Sequence, residues 1–298
     1  MNELPLFALT ATLTALVSGN NLSASVGTLV GSRVTSERTG ALVGALGFSL
    51  GLVLEGNRLN VAAKSLLPNS AYYSFVSLLV ALLLFLGALL VRSPLSLTMA
   101  LVGVAVGISE RVHYHFDHGF LVHTVIAWVL APVLGALVSY FANLTILSSQ
   151  VVNPWSALLR YKLLLLFGSF FTSFTLGANT FGLIASIAGF NTVTMVVMVL
   201  SIFVGSLFLS SGILKRVGSE MYLLRYSNAL VSLFTSSALV EAATLLGLPL
   251  SNTQTLTASV FGAGLSYRFK AIALRPFVIT ASTWLVAPLL GFLLGYLA

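Results

Sequence analysis

Trp128-Val129-Leu130-Ala131-Pro132-Val133-Leu134-Gly135-Ala136-Leu137-Val138-Ser139-Tyr140 returns near the end of the chain as Trp284-Leu285-Val286-Ala287-Pro288-Leu289-Leu290-Gly291-Phe292-Leu293-Leu294-Gly295-Tyr296. Seven of the 13 positions are identical, at an offset of 284 − 128 = 156. Upstream, Pro94-Leu95-Ser96-Leu97-Thr98 recurs as Pro249-Leu250-Ser251-Asn252-Thr253, offset 249 − 94 = 155. Asn20 recurs as Asn179, offset 179 − 20 = 159. Three features at nearly one spacing mark a duplication. The reading is a first repeat over 1–150 and a second over 151–298, joined near Ser148–Pro154.

The material between these landmarks is apolar. The chain is 58% hydrophobic and 7% charged, where a soluble domain carries about 25% charged residues. So few charges cannot cover a globular surface of 298 residues, and a mean hydropathy of +1.03 points the same way. At about 20 residues per span, the length accommodates roughly eight to ten helices. Continuous rather than alternating apolar runs argue against a membrane β-barrel. The expectation is therefore an all-α polytopic protein of the cell membrane. The 14 Lys and Arg against 7 Asp and Glu are dispersed between the runs, as in cytoplasmic loops, and not gathered as in a nucleic-acid site. The absence of cysteine excludes disulfides and thiolate chemistry. No nucleophile–base arrangement is visible, so an enzyme is not expected.

Four places interrupt the runs. Gly19-Asn20-Asn21 falls inside the first run and Gly177-Ala178-Asn179-Thr180 inside the sixth; two short runs, 94–109 and 249–266, open with Pro and are rich in Ser, Thr and Gly. Broken or re-entrant backbone at membrane depth is tolerated only where protein or a cavity surrounds it. Interrupted segments at matching places in two halves mark the binding site of a carrier. The expected architecture is two repeats with broken helices and re-entrant hairpins. Half-helix N-termini attract anions, while freed carbonyls with Asn and Ser oxygens suit a hard cation. The expected substrate-binding residues are Asn20, Asn21, Thr28, Ser96, Thr98, Asn179, Thr180, Ser251, Asn252, Thr253 and Gln254. The bland alternative for Gly19 and its serines is that they let helices pack closely.

Glu241 is the one acid deep in an apolar run, 249 − 241 = 8 residues before Pro249. An intramembrane acid is a functional hypothesis by default, here the carrier of a coupling proton; the competing role is a structural carboxyl bonded to Ser236 or Ser237. Glu55 reads as interfacial, at the end of a span. His113, His115 and His118 with Asp117 match no established metal spacing, and a solvated connector is the expectation; no metal site is expected.

The interrupted segments also resemble a known family, the inorganic phosphate transporter (PiT) family, whose halves carry G-A-N-D-V-A-N-A and P-V-S-T-T-H. Ser18 to Ser32 align without gaps with the longer pattern G-A-N-D-V-A-N-A-F-G-T-S-V-G-S, sharing Asn20, Gly27, Thr28, Val30, Gly31 and Ser32. Gly177-Ala178-Asn179 opens the second copy, and Leu248-Pro249-Leu250-Ser251-x-Thr253-x-Thr255 with Gly262 and Gly264 matches the second hairpin; Pro94, Ser96, Thr98, Gly103 and Gly107 match the first. The resemblance implies a homodimeric secondary carrier of inorganic phosphate, with sulfate the alternative, in the lipid bilayer, its two repeats of inverted topology. It implies no cofactor beyond a coupling ion, Na⁺ or H⁺. The departures bear on that ion. The motif acid is Asn21 in one copy and Thr180 in the other, and the closing His is Met99 and Gln254. A passive anion channel and a non-transporting membrane sensor are the competing classes; a carrier shows counterflow and neither of these does.

Overall fold

The computed structural model describes residues 4–31, 33–91, 95–148, 154–210, 226–267 and 274–298. Pro94 and the expected junction at 150/151 lie outside them. Every regular element among the described residues is helical: α1 (Leu4–Gly31), α2 (Glu37–Glu55), a 3₁₀ turn (Gly56–Leu59), α3 (Asn60–Leu66), α4 (Ala71–Val91), α5 (Leu97–Arg111), α6 (His118–Ser148), α7 (Pro154–Leu176), a π turn (Gly177–Phe181), α8 (Gly182–Ala188), α9 (Thr192–Phe208), α10 (Tyr226–Leu245), α11 (Asn252–Tyr267) and α12 (Leu274–Leu297). Helices satisfy their own backbone groups, which a bilayer requires. Among the described residues, five segments are long and apolar enough to cross a membrane: Glu37–Leu66, Ala71–Leu90, His118–Ile146, Leu158–Ala188 and Ser227–Leu245. The chain is a multi-pass membrane protein.

The two halves interlock. The most extensively packed pairs are α5 with α12 and α6 with α11, then α1 with α9 and α2 with α7. Each pair joins an element of one half to an element of the other, and the pairs are reciprocal. α5 corresponds to α11 and α6 to α12 by the sequence offsets, so each hairpin helix packs on the other half's last helix.

Glycine makes these approaches possible. A Cβ on Gly103 would stand 2.2 Å from the Pro288 carbonyl oxygen, and one on Gly107 2.2 Å from that of Phe292. The mirrored contact is Gly262, whose Cβ would stand 2.0 Å from the Ala136 oxygen. In lipid, helix association rests on such close van der Waals contact. α5 has 15 residues and α11 16. At 1.5 Å per residue these are about 22–24 Å long, short of the ~30 Å hydrocarbon core. That length suits the hairpin role read from the sequence.

One expected interruption is absent. α1 runs unbroken through Gly19-Asn20-Asn21 for 28 residues. Gly19 packs on α9 instead: a Cβ there would lie 2.8 Å from the Leu209 Cβ and 3.0 Å from the Gly205 oxygen. Ser18 donates to the Ala15 carbonyl at 3.0 Å and to Ile202 of α9 at 3.2 Å. These residues tighten a helix pair rather than open a helix. The equivalent stretch in the second half is distorted, as the π turn.

Candidate functional site

The π turn is where the halves' functional segments meet. A π bulge is an uncommon distortion that concentrates at functional sites. All five of its residues are buried. Asn179 Nδ2 donates to Thr244 Oγ1 of α10 at 2.9 Å and to the Leu248 carbonyl at 3.0 Å, and its Oδ1 accepts from the Leu250 amide at 3.0 Å. One side chain thus ties the turn to the segment leading into Ser251. Thr180 Oγ1 lies 3.3 Å from Thr98 Oγ1 on the first turn of α5. Phe181 packs edge-on against Phe48 of α2, ring centres 5.2 Å apart.

Two helix N-termini flank the turn. Ser96 caps α5, accepting from the Met99 amide at 3.4 Å. Ser251 caps α11, accepting from the Gln254 amide at 3.2 Å. Caps of this kind leave the remaining first-turn amides free. On α11 the side chains are polar and enclosed. Asn252 is 4% exposed, yet neither its Nδ2 nor its Oδ1 has a hydrogen-bond partner. Gln254 Nε2 donates to the Trp128 carbonyl at 2.8 Å, leaving Oε1 without a donor, and Trp128 Nε1 donates back to the Pro249 carbonyl at 2.8 Å. A buried amide with no partner is destabilising by about 1–3 kcal/mol. A bound ligand or an ordered water would satisfy such a group.

The expected residues therefore fall into two groups. Thr98, Asn179, Thr180 and the run Ser251, Asn252, Thr253 and Gln254 are linked through the π turn; Ser96 adjoins them as the cap of α5. Asn20, Asn21 and Thr28 stand apart on α1, which packs on α9, α2 and α7. Asn20 and Asn21 are half-buried, and their side chains make no hydrogen bond with the described residues; the Asn20 carbonyl accepts from Ser23 Oγ at 2.8 Å. Thr28 is buried with its hydroxyl unpartnered. The unwound backbone expected around Asn20 is not there, so only its side chain can contribute.

A family model described as the phosphate transporter family matches residues 17–160 and again 147–295. The chain belongs to the phosphate transporter family. A Methanocaldococcus jannaschii chain named provisionally as a phosphate permease is 21% identical over 213 residues, 69% of this chain and 68% of that one. A solved structure titled as the sodium-dependent phosphate transporter superposes with a TM-score of 0.83 at 18% identity, covering 99% of this chain and 97% of the other. That likeness is one of fold. The membership places the chain in a class of carriers rather than enzymes.

Sequence reasoning missed a second polar contact. Glu55, expected at the interface, ends α2 half-buried, 3.9 Å from Arg58 Nε. Neither Ser236 nor Ser237 serves Glu241: both donate to the Leu233 carbonyl, and Ser237 also meets Thr172 at 2.7 Å. The His113–His118 stretch forms a connector. Asp117 Oδ1 accepts from the Phe120 amide at 2.9 Å and so caps α6, and the His118 ring lies tilted against that of Phe116, centres 4.4 Å apart. No group of three metal-ligating residues occurs among the described residues.

Proposed function

We propose that this chain is a secondary permease of inorganic phosphate, working as a homodimer with its two repeats inverted. The observation that carries the site is the enclosed, unpartnered Asn252 in the first turn of α11, where the opening amides of a helix have no helical acceptor. A tetrahedral oxyanion supplies acceptors for those donors, and the helix end favours its charge. Thr98 and Thr180 add two buried hydroxyls that can turn from each other to the anion. Asn20 and Asn21 border the path from the α1 side.

With Asn21 and Thr180 in the places of the motif acids, little negative charge is left to hold Na⁺ in a low-dielectric site. Uptake is therefore weakly dependent on Na⁺. Moving an anion into a negative interior opposes about 2.3 kcal/mol per charge per 100 mV. Symport of H⁺ offsets this, with Glu241 as the carrier of the proton.

The test is uptake by proteoliposomes, labelled phosphate against labelled sulfate, with imposed Na⁺ or H⁺ gradients. Saturable phosphate uptake with counterflow supports the reading. Preference for sulfate reassigns the substrate, non-saturating flux makes the protein a channel, and no flux makes it a non-transporting protein.

A further inference from the structure

Between the end of α3 and the start of α9 lies a cavity of about 460 Å³, lined by none of the site residues described above. Its size is that of a small-ligand pocket, roughly 300–1,000 Å³. Two spans meet there, Glu37–Leu66 ending and Ala71–Leu90 beginning. The cavity therefore opens at the level of a bilayer's headgroups. Its walls are pinned from both sides. The Ser65 carbonyl accepts from the Asp117 amide at 2.9 Å, and the Leu66 carbonyl from Ser109 Oγ at 2.7 Å. These bonds fix the end of α3 against the connector before α6. On the opposite wall α8 ends at Gly189, whose φ of 99° turns the chain into α9. Glycine adopts such positive φ without steric cost.

The lining favours negative charge. Lys64 stands exposed at the rim and makes no ion pair with the described residues. No acid is among the described residues that line the cavity. Ser186 Oγ, on the α8 wall, is enclosed and without a hydrogen-bond partner. Two long helices open onto the same space, α4 at Ser70 and Ala71 and α9 at Asn191. Ser70 Oγ accepts from the Tyr72 amide at 3.3 Å, and Asn191 Oδ1 from the Thr194 amide at 2.9 Å. Each bond serves one opening amide and leaves others of its turn without a helical acceptor. The positive ends of both helices add to the field of Lys64. Phe7, Leu67 and Phe190 supply apolar wall, which reduces the screening of that field by water.

We infer that this cavity is a second anion site, binding a phosphoryl group through Lys64, Ser186 and the opening turns of α4 and α9. It is separate from the π turn. Ser186 lies 186 − 181 = 5 residues beyond the last residue of that turn, about 7.5 Å along a helix. The phosphoryl group of an anionic lipid headgroup and free inorganic phosphate present the same chemistry to these donors. From either source, the bound charge sits at the outer end of α8, whose inner end is the π turn. The inference stands apart from the permease reading, since binding here requires no transport.

The test reads this cavity alone. The chain has no cysteine, so Asn69→Cys, at an exposed position on the rim, gives one thiol for an environment-sensitive fluorophore. The purified, delipidated protein is titrated in detergent with inorganic phosphate and, separately, with micelles carrying phosphatidylglycerol or phosphatidylcholine. Lys64→Glu should weaken the response at least about tenfold, because a like charge then faces the anion. Lys64→Arg should stay within about threefold, since the charge is kept. Ser186→Ala should weaken it by about 2- to 12-fold, the loss of one hydrogen bond. Arg38→Glu makes the same charge change 64 − 38 = 26 residues away, at the other end of the span. It should stay within about twofold, because it lies beyond the screening length. Asn252→Ala should leave the response unchanged. A saturable response to inorganic phosphate assigns the free anion, and a response to phosphatidylglycerol alone assigns the headgroup; either one supports the site. No saturable response to any probe overturns it. A Lys64→Glu titration that matches the parent overturns it too, as does an equal loss in Arg38→Glu. A response lost with Asn252→Ala belongs to the π-turn site and also overturns it, as does one that is equal for the two lipids and absent for phosphate. A cavity response in a protein that takes up no phosphate removes the permease reading and leaves this site standing.

Discussion

The same motif position looks different in the two halves. In α1, Asn20 and Asn21 ride on an unbroken helix, and their side chains make no hydrogen bond to the described residues. In the second half, Asn179 sits in a π turn and spends its amide on Thr244, Leu248 and Leu250. The difference teaches that duplicated residues can divide their work. The bonded copy ties the π turn to the segment before Ser251, and the other copy keeps its side-chain amides unbonded.

The largest effect expected from this division is Asn179→Ala. It strands the buried Leu250 amide and Leu248 carbonyl, at about 1–3 kcal/mol each, so the loss is roughly 2–6 kcal/mol. Thermal unfolding in detergent should show it, while Asn20→Ala stays within about 0.5 kcal/mol of the parent. Equal losses at the two positions would break the comparison.

Asn252 extends the rule to α11. Asn252→Ala removes an enclosed amide that has no partner, so thermal stability should hold or rise. Phosphate affinity should fall roughly 10- to 150-fold, the equivalent of about 1.5–3 kcal/mol for a hydrogen bond to a charged ligand. Equilibrium binding of labelled phosphate reads this, and unchanged affinity moves the site elsewhere.

Packing offers a third contrast. A Cβ on Gly51 of α2 would lie 1.9 Å from the Phe174 carbonyl oxygen of α7, whereas that of Gly19 meets the Leu209 Cβ at 2.8 Å. Gly51→Ala should lose about 1–3 kcal/mol by overpacking, and Gly19→Ala less. A larger loss at Gly19 would show that the α1–α9 seam, not the α2–α7 seam, is the tighter one.

The smallest effect concerns Na⁺. Asn21→Asp restores an acid at a half-buried, unbonded position and should introduce a measurable Na⁺ stimulation of uptake. Thr180→Asp, enclosed in the π turn against Thr98, should lower stability without doing so. A steep Na⁺ requirement already present in the parent would remove the basis for both expectations.

Much of this architecture could be read from one sequence because the repeat is written in local signals. The Trp-x-x-Ala-Pro and Pro-Leu-Ser landmarks recur at fixed offsets, and apolar runs announce the long helices. The unbroken course of α1 was not legible. Gly19 between Ser18 and Asn20 permits either a break or a close helix contact, and only the position of Gly205 on α9 decides. The pairing of Trp128 with Pro249 and with Gln254 was hidden for another reason. Each joins residues more than a hundred positions apart, and no periodicity records which helices become neighbours.

The reciprocal packing of the halves has a consequence for how the protein is made. α5 ends at Arg111 and its main partner α12 begins at Leu274, so 274 − 111 = 163 residues must be added before that pair can close. At about 5–20 residues per second this takes roughly 8–30 s. Throughout that interval the Gly103–Gly107 face of α5 lacks its partner. The nascent first half must be sheltered near the ribosome and its insertion machinery, and chains cut short before α12 should be degraded rather than accumulate as stable half-carriers.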